Sequence, residues 1–139
     1  MAEVIVSSIG YLKQKITAGA HTFLADEPLE AGGSDAGPDP YSLLLGAFGA
    51  CTAMTLQIYA RRKEWPLEKV EVSLKHSRIH AADCENCVAT DGKIELIERY
   101  ISLTGNLTEE QKARLIEIAE QCPVHKTLAS GVSIKSYLD

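Results

Sequence analysis

The fold is decided by Leu43-Leu44-Leu45-Gly46-Ala47-Phe48-Gly49-Ala50-Cys51-Thr52, which lies inside a predicted helix running from Tyr41 to about Lys63. Asp39 is a candidate N-cap, and Pro40 fits the first helical position. Trp65-Pro66 ends the helical pattern, because proline cannot continue a helix. This is the longest helix that the sequence predicts.

Two stripes of residues run along this helix. The apolar stripe contains Leu44, Phe48, Cys51, Thr55 and Ile58. The second stripe is made of small residues, namely Gly46, Gly49, Ala50 and Ala53. A solvated helix would gain nothing from glycines, each of which costs up to about 1 kcal/mol relative to alanine. We therefore expect a central, fully buried helix with another backbone close to its small residues.

Short β-type runs separated by glycine precede the helix and predict a strand meander over residues 4–24. The runs and their punctuation are Val4-Ile5-Val6, Gly10, Tyr11-Leu12 and Gly19. Residues 26–40 are rich in Gly, Pro, Asp and Glu and predict a loop without a core of its own.

Alternating residues after the helix predict a hairpin. Val70, Val72 and Leu74 alternate with polar residues, which is the period of a strand with one buried face. The same parity places three further residues on that face, namely His76, Arg78 and His80. After the turn-like Thr90-Asp91-Gly92, residues 94–103 are expected to form the partner strand.

The end of the chain predicts one more helix and one more strand. Thr108-Glu109-Glu110-Gln111 fits a capping box, and the helix it opens has an apolar side that includes Leu115, Ile118 and Ala119. Pro123 ends this helix, and residues 132–137 alternate as a final strand. The order of elements indicates an α+β fold in a single domain over residues 1–139.

Charge and composition exclude several classes of partner. The net charge of −5 argues against nucleic acid, and Arg61-Arg62-Lys63 fits the negative end of the long helix instead. No segment is expected to reach the apolar length that spans a membrane, and the N-terminus does not resemble a secretory signal. We therefore expect a cytoplasmic protein with no membrane partner, whose four cysteines serve catalysis, metal binding or burial.

Two of the cysteines, Cys84 and Cys87, follow His76 and His80 in a pattern whose residue types suit zinc. On a straight strand the two histidines would lie about 13 Å apart, too far to share one ion. We therefore expect no bound metal. A disulfide or thiol relay, zinc, and a loop tip with inert thiols remain alternatives for this secondary cysteine pair.

The other two cysteines lie in a pair of recognisable segments. One is Gly33-Ser34-Asp35-Ala36-Gly37-Pro38-Asp39-Pro40 leading into the helix with Cys51, and the other is Ile118-Ala119-Glu120-Gln121-Cys122-Pro123-Val124-His125. Together they make the chain resemble the OsmC/Ohr family over nearly its whole length. The resemblance implies an OsmC-like fold, with antiparallel sheets wrapped around a long central helix, in an intertwined homodimer with active sites at the interface.

The resemblance also implies an activity. Family members are cysteine-based peroxidases that act on organic hydroperoxides in stress response, without a bound cofactor. By position, Cys51 would attack the peroxide, Cys122 would resolve the product, and an external dithiol would regenerate the pair. Two thiols are the minimum that this chemistry needs, because a sulfenic acid must be captured before it oxidises further.

The chain departs from the family in the groups that activate the first cysteine. Tyr41 stands where the family has a glutamate, and no arginine precedes Arg61, although the family takes one from the N-terminal meander. Cys51 lies about 16 Å into its helix, beyond the reach of the helix dipole. Arg78 and Tyr41 are the possible replacements, with an edge arginine that reaches into solvent and an aromatic packing residue at the helix start as their plainer interpretations.

Cys122 has the better local environment for a thiolate. If a short helix begins at Pro123, Cys122 becomes its N-cap, where free N–H groups favour the charged sulfur. His125 is a candidate base, with a solvent-exposed histidine as the plainer interpretation. Two other classes of function remain open: a non-enzymatic dimer that binds a small hydrophobic or electrophilic ligand in its interface pocket, and a zinc-stabilised module.

Overall fold

A computed structural model of the chain describes residues 2–84 and 92–139. It shows a mixed α+β fold with two antiparallel sheets and one long helix, which confirms the predicted fold class. Contacts divide the chain into two units, Met1–Leu44 and Leu45–Asp139. The single domain over residues 1–139 stays a prediction.

The first unit contains a three-stranded antiparallel meander, as predicted. Its strands are β1 (Ile5–Ser8), β2 (Gln14–Ala18) and β3 (His21–Ala25), hydrogen-bonded in that order. Gly19 turns the chain between β2 and β3 with φ +60°, a conformation that favours glycine. Tyr11-Leu12 was expected in a strand but lies in the connection between β1 and β2.

A buried carboxylate organises the loop that follows β3. Asp26, only 2% exposed, accepts hydrogen bonds from the backbone N–H of Glu27 at 2.8 Å and of Ala36 at 3.1 Å. Ser34 donates from its hydroxyl at 2.6 Å and from its backbone N–H at 3.2 Å. These donors, the Ser34 hydroxyl first, lower the pKa of Asp26 to about 2.

Two glycines of the same loop are required by close approach. A Cβ on Gly33 would lie 2.0 Å from the carbonyl oxygen of Glu27, and one on Gly37 would lie 2.2 Å from that of Leu24. No side chain fits at such distances. The glycines of the segment at residues 33–40 therefore allow the backbone to fold tightly around Asp26.

The long helix α1 spans Pro40–Arg62, within one residue of its predicted bounds. Asp39 accepts a hydrogen bond from the Ser42 hydroxyl at its start, and this contact leads the causes that lower the pKa of Asp39. The expectation that α1 is fully buried is wrong for the single chain. Its buried side is Phe48, Gly49, Thr52, Leu56 and Ala60. The opposite side is open, with Met54 64% and Ile58 59% exposed.

The small residues of α1 do not all face the same neighbour. A Cβ on Gly49 would lie 2.8 Å from Leu74 Cδ1 and 4.0 Å from Val72 Cβ, whereas one on Gly46 would meet nothing within 4 Å. Gly49 thus admits a side chain of its own polypeptide. At Gly49 the close neighbour is therefore a side chain and not another backbone, while a backbone close to the rest of the stripe stays a prediction.

By length and composition, α1 would be long and apolar enough to cross a membrane. Its most apolar window has a mean hydropathy of 1.5, with 28% of that window buried. The expectation that no segment approaches this length was therefore wrong. Length and composition are the whole of this evidence, and core helices of soluble proteins share both properties.

The second unit contains an antiparallel hairpin of β4 (Leu67–His80) and β5 (Lys93–Gly105), close to the predicted strands. Its register places Leu74 opposite Arg99 and Arg78 opposite Glu95. Alternation in β4 holds as far as His76 and then breaks, so that Ile79 takes the half-buried place. The parity that placed three residues on the apolar face holds for His76 and fails for Arg78 and His80, which are exposed.

Helix α2 spans Glu109–Ala119 and opens with the predicted capping box. The backbone N–H of Gln111 donates to the Thr108 hydroxyl at 3.1 Å, and that of Thr108 donates to the Gln111 side chain at 2.9 Å. Helix α2 contributes to the core of the second unit together with α1. The buried members of that core are Leu56, Ala60, Leu107, Leu115, Ile118 and Ala119.

A last helix, α3, spans Pro123–Ser130, and the residues after it form no strand. Residues 131–139 are exposed, so the predicted final strand over residues 132–137 is wrong for the single chain. The physical reason is that alternation marks a strand only where a neighbouring strand satisfies the backbone groups. In the described part of this chain no strand pairs with that segment.

Candidate thiol site

Two free cysteines from distant parts of the sequence lie together in the second unit. Cys51 is on α1 and partly exposed, whereas Cys122 follows α2 and is fully buried. Their thiols are close enough that each shifts the pKa of the other by direct interaction. The structure thus brings together the two residues that the sequence singled out as a redox pair.

Cys122 is the N-cap of α3, as the proline after it predicted. The backbone N–H groups of Val124 and His125 interact with its sulfur, and the Thr52 hydroxyl lies 4.0 Å from it. The Cys122 backbone N–H donates to the carbonyl oxygen of Ala119 at 3.3 Å. The N–H groups of α3 act to lower the pKa of the thiol, although none of them makes a cap hydrogen bond to the sulfur.

The two thiols have opposite electrostatic environments. Burial raises the pKa of Cys51, and the neighbouring Cys122 raises it further. Burial also acts to raise the pKa of Cys122. The Cys51 thiol, the two N–H groups of α3 and the Thr52 hydroxyl together outweigh burial, so the net direction for Cys122 is down.

A nearly buried arginine from β5 completes the site. The side chain of Arg99 is only 9% exposed, and its guanidinium lies 4.7 Å from the centre of the Phe48 ring. Nη1 donates to the Thr52 hydroxyl at 3.0 Å and to the carbonyl oxygen of Ala119 at 3.3 Å. Arg99 therefore contacts two neighbours of Cys122, the Thr52 hydroxyl on α1 and the carbonyl oxygen of Ala119 at the end of α2.

Glu120 and His125 form the outer part of the site. Glu120 lies 3.5 Å from Arg99 and 3.0 Å from His125 Nε2, and its side chain is 58% exposed. His125 is half-buried, and its ring lies 5.9 Å from that of Phe48. Its Nδ1 is buried and has no hydrogen-bond partner among the described residues. The interpretation of His125 as a solvent-exposed residue was wrong.

The two proposed replacements for the family's activating groups are both exposed in large part. Arg78 is 64% exposed and donates from Nε to Glu95 at 2.8 Å. Tyr41 occupies the first turn of α1 with about half of its surface exposed, and it belongs to the first unit. Among the described residues, Arg99 is a cation that contacts Thr52 and Ala119, the neighbours of the thiol pair.

The structure describes part of the secondary cysteine pair and the two histidines before it. Cys84 is disulfide-bonded, and Cys87 lies outside the described residues. His76 Nε2 lies 2.6 Å from Glu95, and His80 ends β4. Residues 2–84 and 92–139 contain no group of three potential metal ligands. The metal content of the protein stays a prediction.

Arg99 and Thr52 are the residues that sequence reasoning missed. Arg99 shares its parity with apolar residues on both sides along β5, namely Ile97, Ile101 and Leu103, and all four are half-buried. A charged residue inside an apolar alternation is a signal for a buried ion contact. Thr52 carried no comparable signal beyond its position next to Cys51.

The comparisons with known proteins agree with this fold. The OsmC-like protein of Mycoplasma pneumoniae is 18% identical with a TM-score of 0.73, covering 93% of this chain and 87% of that one. An organic hydroperoxide resistance protein from Legionella pneumophila is 20% identical with a TM-score of 0.62, and the match covers 89% of this chain and 87% of that one. The organic hydroperoxide resistance protein OhrB of Bacillus subtilis is 21% identical with a TM-score of 0.60, and the match covers 91% of this chain and 88% of that one.

These identities show a shared fold alone, and no curated protein matches the sequence. The family comparison shows more than the fold. Residues 32–136, which include both cysteines of the site, match the family described as OsmC-like protein. The chain therefore belongs to the OsmC-like protein family.

Proposed function

We propose that the protein reduces organic hydroperoxides, or related oxidants, with Cys51 and Cys122 as its redox pair. The observation that carries the proposal is the pairing of two free, interacting thiols in one site. The similar structures from Legionella pneumophila and Bacillus subtilis are named organic hydroperoxide resistance proteins. A peroxide-related role in stress response follows from the family.

The reaction removes two electrons from the thiols. The sulfur of Cys51 attacks the terminal oxygen of the hydroperoxide, the O–O bond breaks, and the alcohol leaves. Cys51 is then a sulfenic acid. The sulfur of Cys122 attacks it and displaces water, so the protein ends as a disulfide. An external dithiol reduces that disulfide by thiol–disulfide exchange.

Accessibility supports this division of labour. Cys51 is partly exposed, so an oxidant from solution reaches it first. Cys122 has no exposed surface and sits beside Cys51, which suits a residue that reacts only with an intermediate held by the protein. No bound organic cofactor or metal is needed for either step.

A homodimer in the cytoplasm is part of the proposal. The outer side of α1 exposes apolar residues that water would not favour, Met54 and Ile58 among them. Residues 132–137 carry the alternation of a strand and are exposed in the single chain. A second copy would cover the helix face and offer a sheet edge to the segment.

The test is peptide mass mapping after treatment with cumene hydroperoxide. We expect a Cys51–Cys122 disulfide in the wild type, sulfenic acid or higher oxides at Cys51 in Cys122→Ser, and neither in Cys51→Ser. Cys84→Ser is the matched control, because it removes a cysteine outside the site and should leave the disulfide unchanged.

Steady-state peroxide consumption separates the second candidate, a non-enzymatic dimer that binds a hydrophobic or electrophilic ligand. The raised pKa of Cys51 favours this candidate, since a protonated thiol is a poor nucleophile. Consumption in Cys51→Ser equal to that of the wild type would contradict the peroxidase proposal.

A further inference from the structure

We propose that Arg99 is a positioning residue for the resolving step: it holds the two chain segments that carry Cys51 and Cys122 so that their sulfurs can meet as a disulfide. This role rests on the proposed peroxidase function, because it concerns the second of that function's two steps. In that step the Cys122 sulfur attacks the Cys51 sulfenic acid, the S–S bond forms and the S–O bond breaks. The hydroxyl leaves with the proton of the Cys122 thiol as water.

The stability of the fold does not account for an arginine at position 99. Its side chain is 9% exposed and shares its parity on β5 with Ile97 and Ile101. A buried charge needs acceptors that replace water, and an apolar residue of similar volume in such a place is often equally or more stable. The reason for the arginine therefore lies in what it contacts.

One nitrogen of Arg99 joins the two segments that carry the thiols. Nη1 donates to the hydroxyl of Thr52, the residue after Cys51 on α1, at 3.0 Å, and to the carbonyl oxygen of Ala119 at 3.3 Å. That carbonyl oxygen also accepts the backbone N–H of Cys122 at 3.3 Å. A side chain of β5 therefore links the helix of the first cysteine to the turn that contains the second.

The other nitrogen of Arg99 reaches the chain beyond Cys122. Nη2 lies 3.5 Å from Glu120, whose second carboxylate oxygen lies 3.0 Å from His125 Nε2 on α3. Because Cys122 is the N-cap of α3, its turn is held on both sides. Glu120 is 58% exposed, so solvent screens this contact and Nη1 makes the stronger connection.

Disulfide formation makes narrow geometric demands on the two segments. The Cα atoms of the two cysteines must come within about 4.4–6.8 Å of each other, and a misplacement of about 1 Å can slow a reaction between held groups by about 100-fold. Cys51 lies on the long helix α1, whereas Cys122 lies in the short turn between α2 and α3. Arg99 contacts both segments, so its loss should let them drift apart.

Arg99→Met removes both connections and leaves the neighbours with partners. The carbonyl oxygen of Ala119 keeps the N–H of Cys122. The Thr52 hydroxyl keeps its donation to the carbonyl oxygen of Phe48 at 2.9 Å. Methionine is apolar and unbranched like the stem of arginine, so we expect the variant to fold. Thr52→Val is a second variant that removes one connection and keeps the charge of Arg99.

The test is the equilibrium of the thiol pair with glutathione, in the absence of peroxide. Glutathione disulfide oxidises the pair to the Cys51–Cys122 disulfide and is reduced to two glutathione molecules, so the equilibrium constant measures the effective concentration of one thiol at the other. Acid quenching, alkylation and peptide mass mapping report on each cysteine separately. We expect Arg99→Met to lower the constant about tenfold, which is about 30 mV for a two-electron couple. Thr52→Val should lower it about threefold and add nothing in the Arg99→Met background, because both variants remove the same contact.

The direction of the change separates a positioning role from a purely electrostatic one. A cation that only stabilised a thiolate would favour the reduced pair, and its loss would raise the constant. A residue that holds the sulfurs together favours the disulfide, so its loss lowers the constant. Arg114→Met is the matched control: it removes an arginine of α2 that contacts Glu117 and Tyr59, and it should leave the constant unchanged.

A second measurement applies to the resolving step itself. At a fixed concentration of cumene hydroperoxide, the ratio of sulfinic acid at Cys51 to disulfide should rise in Arg99→Met. Slower capture by Cys122 leaves the sulfenic acid open to a second peroxide molecule. This ratio does not depend on how fast Cys51 is first oxidised.

Three results would overturn the inference: a constant that is unchanged or raised in Arg99→Met, additive effects of Arg99→Met and Thr52→Val, or an unchanged ratio of sulfinic acid to disulfide. If Arg99→Met does not fold, Thr52→Val and Thr52→Ser decide, because serine keeps the hydroxyl and should keep the wild-type constant; equal constants in these two variants contradict the role. Peroxide consumption with an unchanged constant refutes only the positioning role. A lowered constant in a protein that consumes no peroxide refutes only the peroxidase.

Discussion

Replacing Gly49 with alanine tests which neighbour this buried glycine of α1 accommodates. Alanine would gain about 1 kcal/mol of helix propensity over glycine. Its Cβ would lie 2.8 Å from Leu74 Cδ1, closer than real Cβ atoms approach. Leu74 would have to shift, and overpacking of this kind costs about 1–3 kcal/mol. We expect Gly49→Ala to be between neutral and about 2 kcal/mol less stable.

A double-mutant cycle with Leu74→Val isolates the contact. Valine lacks the methyl group that approaches Gly49, and the next atom, Val72 Cβ, lies at an ordinary 4.0 Å. In that background Gly49→Ala should become neutral or stabilising, with a coupling energy of about 1 kcal/mol or more. Urea unfolding followed by circular dichroism, at one protein concentration, measures all four proteins.

Gly46→Ala is the matched control on the same helix. A Cβ there meets nothing within 4 Å, so its effect should be the same with leucine or valine at position 74. Additive effects of Gly49→Ala and Leu74→Val, within about 0.3 kcal/mol, would refute the contact. Gly49 would then face another neighbour, such as the partner helix that the sequence suggested.

Two further predictions concern the loop and the dimer. The pKa of Asp26 is about 2, below its usual 3.8, so its ionised form stabilises the fold above about pH 4 and less as the pH falls toward 2. Urea midpoints should therefore show a loss in Asp26→Asn that is larger at pH 7 than at pH 3; a pH-independent loss contradicts this. Met54→Glu should shift the mass by light scattering from dimer to monomer, whereas Ile116→Glu on α2, 45% exposed in the wild type, should not. A dimeric Met54→Glu would contradict the proposed interface.

The sequence predicted the elements whose signals are local. The start of α1 follows from Asp39 and Pro40, and the start of α2 from the capping box at Thr108, because capping depends on residues within one turn. The hairpin follows from alternation. In each case the deciding residues are neighbours in the chain.

Predictions that depended on distant partners were less successful. Around α1 most residues are apolar or small, so the pattern does not distinguish the side that packs on Leu74 from the side that exposes Met54. Residues 132–137 have the alternation of a strand, but in the single chain no neighbouring strand completes it. Parity alone also placed Arg78 on the apolar face of β4, because the sequence does not show that the alternation breaks after His76.

The source of positive charge at the thiols shows why register matters for the site. The sequence has no arginine before Arg61, so an arginine for the pair comes from α1 or from a later element. Register decides which one: Arg78 lies opposite Glu95 and pairs with it, whereas Arg99 lies opposite Leu74, which packs against α1 at Gly49. Arg99, which lies on the face of the hairpin toward α1, therefore reaches Thr52. Because Arg99 also donates to the carbonyl oxygen of Ala119, which accepts the backbone N–H of Cys122, it joins β5 to both chain segments that carry the thiols.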